Sequence, residues 1–324
     1  MKKSLVLAAL AVGIAGMTAL GAAAQTVKIT PLGSHDGEFC PLDRALIFED
    51  PDGTRILYDA GRTVRGPDDP RLGTIDAVLL SHVHGDHLGD LHQPSANAGT
   101  CAKPDFSVSV TPNSNTVNIA MAKQAPIIAG GEMNAFFAAK VKSLGGDPGK
   151  LVRLVRFGAS TMVGKVMVAG VPAVHSNGLP PAFLQKEQAQ LLEANGLTAY
   201  VGPPGGFVLR FSNGLTAYLS GDTGITAEQD LVVRGHYKSN LVVMNIGGFP
   251  FTTGPIEATY VVNELVRPNA VIASHANEPA TINGKVTPNS KTAAFIKSAK
   301  MPVHVPLSGR TMEFDGSGKC VSGC

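Results

Sequence analysis

The stretch that decides the fold is Ser81-His82-Val83-His84-Gly85-Asp86-His87, which directly follows an apolar run from Ile75 to Leu80. That run predicts a buried strand, and the polar cluster begins where the strand ends. Packed together without a ligand, three imidazoles and a carboxylate would leave buried nitrogens and a charge unpaired. Imidazole nitrogens and carboxylate oxygens are good ligands for divalent ions such as zinc. The cluster therefore predicts a metal site, in preference to a chance polar junction.

The first 24 residues have the pattern of a secretory signal peptide. Two N-terminal lysines precede an apolar run over residues 5–20, and small residues come just before Gln25. The alternative, a membrane anchor, is disfavoured because the run is short, rich in alanine and interrupted by glycine. We therefore expect residues 25–324 to form a single exported domain, periplasmic or secreted, without stable membrane insertion after cleavage.

The charge of the expected mature chain argues against nucleic acid as a partner. The whole chain has a formal net charge of +2, and removal of Lys2 and Lys3 with the signal peptide takes it to 0. No basic block follows, whereas neutralisation of phosphates supplies most of the affinity for nucleic acids. A small-molecule substrate is the expected partner.

Four cysteines remain in the expected mature chain. An even number in an exported protein favours disulfides, and four cysteines allow three pairings. The close spacing of Cys320 and Cys324 favours a local pair, which leaves Cys40 to pair with Cys101. The alternative is a cysteine metal site, but neither Cys40 nor Cys101 has a second cysteine or histidine beside it at ligand spacing.

Three further polar residues follow apolar runs in the same way as the first cluster. His175 comes after Val171–Val174, which we interpret as a strand, and Asp222 and His275 each end another apolar run. Strands hold ligands rigidly while the adjoining loops shape access to them. Each residue alone is weak evidence for a site, but the ordered combination behind the first cluster is strong.

In this combination the chain resembles the metallo-β-lactamase superfamily of binuclear metal hydrolases, and Ile56–Gly61 is similar to the family's early strand that ends in a buried acid. The resemblance covers nearly the whole expected mature chain. It implies an α/β fold, a four-layer αββα sandwich with two mixed sheets flanked by helices. It also implies two groups of metal ligands, with Asp222 bridging both ions: His82, His84 and His175 for one ion, and Asp86, His87 and His275 for the other.

A bridging aspartate is typical of the glyoxalase II, lactonase and phosphodiesterase branches of that superfamily, and not of typical class B β-lactamases. The chain looks most similar to the branch of ascorbate-6-phosphate lactonase and the phospholipase D-type enzymes. The resemblance therefore implies a hydrolase that uses a metal-bridging hydroxide on an ester, lactone or phosphoester. Two divalent ions are expected, Zn²⁺ first, with Mn²⁺ or Fe²⁺ as alternatives. The rival functions are β-lactam hydrolysis at the same site and metal binding without turnover.

Roles can be assigned to a few further side chains. Asp86 is the candidate catalytic residue, which would orient the nucleophile and move its proton. Asp59 would fix a ligand imidazole through its outer nitrogen, or else is an ordinary turn residue. Three polar residues near strand ends have either substrate contact or a surface role: His35, Asn177 and Asn277. Three histidines without ligand-type neighbours are interpreted as non-functional: His92, His236 and His304.

The segment 88–150 between the metal motif and His175 is long for a connection. It predicts a helix over Glu132–Leu144, and it contains the polar run Asn113–Thr116. Binding groups often lie in such loops, so we expect this insertion to shape the substrate pocket. Further along, apolar periodicity predicts one strand over Met162–Val168 and a helix over Phe183–Asn195.

Overall fold

Two mixed β-sheets form the centre of the computed structural model, which describes residues 25–324. The predicted signal peptide lies outside the described residues. The first sheet has eight strands in the spatial order Val152–Leu154, Ile127–Ala129, Ala77–Leu79, Arg55–Tyr58, Leu46–Glu49, Val27–Pro31, Met312–Phe314 and Cys320–Ser322. The second has seven in the order Ser160–Val163, Val166–Pro172, Gly205–Arg210, Thr216–Leu219, Leu241–Asn245, Ala270–Ser274 and Val303–His304.

Alternation of side chains along the strands builds the layers. Leu46 and Phe48 belong to the core cluster between the sheets, whereas Ile47, between them in sequence, belongs to the cluster under the first helical layer. In the second sheet, Val243 faces the central core and Val242 faces the other helical layer. Because successive strand residues point to opposite faces, strands that are apolar throughout are covered on both sides.

Helices cover both outer faces and complete the four-layer αββα sandwich that the resemblance implied. Those packed on the first sheet include Asn115–Lys123 and Met133–Ser143, and those on the second include Gln229–His236, Pro255–Tyr260, Val261–Val266 and Lys291–Ser298. The remaining helical segments are Gly85–Leu88, Pro148–Leu151, the 3₁₀ turn Pro181–Phe183 and Lys186–Ala194. Short two-stranded ribbons pair Leu91–His92 with Val108–Ser109, Gly99–Thr100 with Lys103–Pro104, Gly178–Leu179 with Ala199–Tyr200, and Thr281–Ile282 with Lys285–Val286. Within residues 25–324, no helix is long and apolar enough to cross a membrane.

Several predicted boundaries were wrong for local reasons. The expected strand over Met162–Val168 is a hairpin, Ser160–Val163 paired with Val166–Pro172, because the chain turns at Gly164 with φ of +53°. The strand predicted to reach Val174 ends at Pro172. The helix predicted from Phe183 begins only at Lys186, after the 3₁₀ turn.

Both predicted cysteine pairs are present in the structure. Cys40 is joined to Cys101 with their Cα atoms 5.1 Å apart, and Cys320 is joined to Cys324 with Cα atoms 6.4 Å apart. The first bond ties the chain just before the strand Leu46–Glu49 to the segment beyond the metal motif. It therefore limits movement of the residues that lead into the site.

Candidate metal centre

The predicted ligands meet where the strands of the two sheets end. His82 follows the strand Ala77–Leu79 by three residues, Asp222 follows Thr216–Leu219 by three, and His275 directly follows Ala270–Ser274. These strands lie in the parallel parts of their sheets, so their carboxyl ends share an edge. His175 reaches the same place from the loop after Pro172. Residues far apart in sequence thus converge for a topological reason.

One group of ligand-type atoms is formed by His82, His84 and His175, whose nitrogens all lie within 4.8 Å of one another. His175 Nε2 is 3.2 Å from His84 Nδ1. His82 Nε2 is buried and has no hydrogen-bond partner among the described residues, although Asp222 Oδ2 lies 3.9 Å away. A buried nitrogen without a partner costs free energy unless something else binds it. This group therefore fits a divalent ion.

The second group is formed by Asp86, His87 and His275, again with ligand atoms within 4.8 Å of one another. Asp222 lies between the groups. Its Oδ1 is 3.3 Å from His87 Nε2, and its Oδ2 is 2.9 Å from His275 Nε2 and 3.7 Å from His175 Nε2. The Asp222 carboxylate is thus placed where it could bind an ion held by either ligand group.

A short helix, Gly85–Leu88, presents the two ligands that follow the first histidine pair. His84 is its N-cap residue with extended backbone, and Asp86 and His87 lie in its single turn. A side chain at Gly85 would collide with the carboxylate of Asp90, which is held in turn by Arg62. The glycine between the histidines and the aspartate is therefore needed for this tight packing.

Asp59 holds His87 from behind. Its Oδ2 lies 2.7 Å from His87 Nδ1, and its carboxylate also accepts the backbone N–H of Ser81 at 2.9 Å and the Ser81 hydroxyl at 2.7 Å. Asp59 is completely buried and has a left-handed backbone with φ of +41°. Of the two roles that the sequence left open, the geometry supports the orientation of a ligand imidazole.

Burial and charge set the protonation of the first group and of Asp222. Burial lowers the pKa of His82 well below its ordinary value, and burial lowers the pKa of His175 to about 4 against the opposing charge of Asp222. Burial alone would raise the pKa of Asp222, but His275 and His87 outweigh it and hold that pKa well below its usual range. Neutral imidazoles around an ionised carboxylate are the protonation states that metal binding requires.

Arg44 is the functional residue that sequence reasoning missed. Its guanidinium is buried and donates from Nε to His87 Nε2 at 3.1 Å, and its Nη2 lies 2.6 Å from both His275 Nε2 and Asp86 Oδ2. Nη2 also donates to Asn277 Oδ1 at 3.2 Å. One cation therefore contacts every member of the second ligand group.

The contact with Arg44 decides the tautomer of His87. Burial opposes the charged form of this ring, whereas the carboxylates of Asp222 and Asp59 favour it and raise its pKa. A proton on Nε2, however, would meet the N–H of Arg44, which can only donate. The hydrogen-bond geometry therefore assigns the ring proton to Nδ1, facing Asp59, and leaves a lone pair on Nε2.

A cavity of about 650 Å³ opens onto the ligands. Its lining includes the basic residues Arg62 and Lys291 and the exposed aromatic pair Phe249 and Phe251. No residue of the segment 88–150 lines it, so the prediction that this insertion shapes the pocket was wrong. The polar run there is structural, because Ser114 caps the helix Asn115–Lys123 by accepting the N–H of Val117.

The remaining predicted polar residues differ in whether they line the cavity. Asn177 is a structural bridge, with Oδ1 accepting the N–H of Val83 and Nδ2 donating to the carbonyl of Gly202. Asn277 lines the cavity, as its sequence position beside His275 allowed. The others are absent from the cavity lining: His35, His92, His236 and His304.

Comparisons with known proteins agree with this architecture. The family model described as "Beta-lactamase superfamily domain" matches residues 54–275, which hold all seven predicted ligands but not Arg44. A metal-dependent hydrolase of Cupriavidus necator is 30% identical, with 82% of this chain and 81% of the relative covered. A second, from Cupriavidus taiwanensis, is 30% identical with 76% and 73% covered. Igni18, a metallo hydrolase from Ignicoccus hospitalis, has a TM-score of 0.58 at 20% identity, with 90% of this chain and 99% of that chain covered, and shows the fold.

Proposed function

From the premise that this chain belongs to the metallo-β-lactamase superfamily, we propose that it is an exported metal-dependent hydrolase of small esters, lactones or phosphoesters. The observation that carries the proposal is the convergence of seven ligand-type side chains at a cavity large enough for a small molecule. Metal binding without turnover is less favoured, because an open cavity beside the ligands serves no purpose in simple storage.

The first ligand group would hold a divalent ion, with Asp222 completing the set. An ion fits here because two buried atoms have no hydrogen-bond partner among the described residues: His82 Nε2 and Asp222 Oδ1. When bound there, a divalent ion such as Zn²⁺ would lower the pKa of a coordinated water towards ~7 and polarise the substrate oxygen.

Asp86 is proposed to orient the attacking water. Burial would raise its pKa, but the charge of Arg44 outweighs burial and holds the pKa below its usual range. A carboxylate with so low a pKa accepts a hydrogen bond well but keeps a proton poorly. We therefore assign it an orienting role in preference to proton transfer.

The cavity also suggests how a substrate is held. Lys291 donates to the carbonyl of Gly247 at 2.6 Å, which fixes its ammonium at the cavity wall, while Phe249 is 96% exposed at the opening. A basic wall and an aromatic edge favour a molecule with one anionic or strongly polar end and one apolar part.

The test is a comparison of kcat/KM for a lactone, a phosphodiester and a cephalosporin on the metal-loaded protein. We expect hydrolysis of the lactone or the phosphodiester, its loss after chelation, and its loss in His175→Ala. His92→Ala is the matched control, because it removes a histidine outside the cavity. A cephalosporin preferred by a hundredfold, about 2.7 kcal/mol of transition-state stabilisation, would contradict the proposal.

Export is proposed from the N-terminal pattern and is consistent with the paired cysteines, since disulfides persist in oxidising compartments. Cell fractionation with N-terminal sequencing should find a chain beginning at Gln25 outside the cytoplasm. A cytoplasmic chain that retains Met1 would contradict export without affecting the proposed chemistry.

A further inference from the structure

The second ligand group already contains a cation that belongs to the chain. Arg44 lies two residues before Leu46, where the strand pairing begins, and its side chain is 2% exposed. Its guanidinium contacts Asp86, His87 and His275 at 2.6 to 3.1 Å. Acceptors gathered this closely need a positive charge among them, and here Arg44 supplies it.

The contacts of Arg44 use the lone pairs that an ion would need. A neutral imidazole has one ring nitrogen with a lone pair, and an arginine side chain offers only donors. Nε2 of His87 therefore accepts an N–H group from Arg44, and an acceptor lone pair engaged in this way is not free for a metal bond. Nε2 of His275 lies only 2.6 Å from Arg44 Nη2, so the guanidinium also occupies the space that an ion would need beside that nitrogen. The guanidinium and a second ion exclude each other.

The first ligand group differs in this respect. His82 Nε2 is buried without a partner among residues 25–324, and no guanidinium contacts His84 or His175 there. The two ligand groups contain the same number of side chains, but they differ in charge. The second group already contacts a cation of the chain, Arg44, and the first does not.

The backbone that carries Arg44 is fixed in place. Asp43 is buried and accepts the backbone N–H groups of Ser34 and Cys40, both at 2.8 Å. Cys40 in turn is bonded to Cys101. Withdrawal of the guanidinium would have to occur by rotation of the side chain alone, and it would leave a buried positive charge without its partners.

We propose that the Arg44 guanidinium takes the place of the second ion, so that the protein binds one divalent ion per chain, at His82, His84, His175 and Asp222. The proposal rests on the proposed metal-dependent function. Arg44 is a positioning residue in this scheme, because it holds Asp86 and His87 in the arrangement that a second ion would otherwise impose. It replaces the two-ion centre expected from the resemblance.

The test measures bound metal directly. The purified protein is saturated with Mn²⁺, freed of excess ion, and analysed for ions per chain and for the electron paramagnetic resonance signal of isolated or exchange-coupled Mn²⁺. Arg44→Met keeps side-chain length without the charge and should bind two ions with a coupled signal. Arg62→Met is the matched control, since it removes another guanidinium of the same cavity that contacts no predicted ligand.

We expect one ion and an isolated signal in the parent protein and in Arg62→Met. Two ions with a coupled signal in the parent protein would overturn the inference and leave the proposed function intact. An Arg44→Met variant that folds and still binds one ion would also overturn it. No ion in any variant would instead refute the metal centre itself. Should Arg44→Met fail to fold, the parent protein's count and signal still decide between one ion and two.

Discussion

Replacement of Asp59 with asparagine should reverse the tautomer of His87 and destabilise the fold. Asparagine is suitable because, like aspartate, it tolerates the left-handed backbone at this position. One amide oxygen can still accept the N–H of Ser81. The amide NH₂ group would replace the oxygen that now lies 2.7 Å from His87 Nδ1, and it can only donate. The ring proton should therefore move from Nδ1 to Nε2.

The cost follows from the hydrogen bonds that are lost. The charge-assisted contact of His87 with Asp59 becomes an ordinary hydrogen bond donated by the amide, and a proton on Nε2 ends the bond donated by Arg44. The first change costs about 1 kcal/mol and the loss of the bond from Arg44 about 1.5 to 3 kcal/mol, so we expect the free energy of unfolding to fall by about 2.5 to 4 kcal/mol. Urea unfolding would measure this loss, and ¹⁵N chemical shifts of the histidine rings would show which nitrogen carries the proton.

Asp50→Asn is the matched control. Asp50 is a buried carboxylate that accepts the backbone N–H of Ser212 at 2.7 Å and its hydroxyl at 2.6 Å, as Asp59 does with Ser81, but it contacts no imidazole. We expect a loss of about 1 kcal/mol there, because the amide NH₂ cannot accept the part-buried hydrogen bond from the backbone N–H of Asp52. The reasoning is refuted if Asp59→Asn costs no more than Asp50→Asn and His87 keeps its proton on Nδ1.

Three further perturbations test other parts of the structure. Asp222→Ala should lower both metal retention and turnover by orders of magnitude, because the carboxylate lies between the two ligand groups; near-normal metal content measured by elemental analysis would contradict this role. Dialysis against buffers of falling pH should leave the ion bound down to pH 6 and release it nearer the His175 pKa of about 4, since the lowered pKa keeps this ligand neutral. Release of half of the ion at pH 6.5 would contradict a lowered pKa of His175. Loss of the Cys40–Cys101 bond in a double serine variant should reduce the free energy of unfolding by roughly 4 kcal/mol, from closure of a loop of 61 residues; denaturant unfolding that shows a loss below about 1 kcal/mol would contradict the loop-closure argument.

The positions of the ligands could be predicted because they depend on local signals. An apolar run that stops at a polar residue marks the end of a strand, and parallel strands bring such ends to one edge. His82, Asp222 and His275 satisfy that rule, and the structure brings them together. His175 does so less directly, since its strand ends at Pro172 and the loop completes the approach.

The wrong prediction that segment 88–150 shapes the pocket arose because a polar run in a loop has two common explanations. A polar run in a connection is expected both where a ligand binds and where backbone groups need partners. In the run Asn113–Thr116 the second applies: Asn115 Nδ2 donates to the carbonyls of Gly61 and Val64, and Thr116 donates to the carbonyl of Leu88. The cavity lining includes instead the apolar stretch Phe249–Phe251 of another loop.

Arg44 could not have been found from the residues around it. An arginine just before an apolar strand ordinarily lies at the surface with its head group in water, and its partners Asp86 and His275 are 42 and 231 positions away. Only the sheet edge, once formed, makes them neighbours. For a centre of this kind, the number of ligand-type side chains sets only an upper limit on the number of bound ions. A buried arginine can contact a complete group of ligands in place of an ion, while every ligand residue stays the same. In the one-ion proposal, the number of ions in this protein depends on a residue that lies outside the matched family region, and Arg44→Met tests that dependence directly.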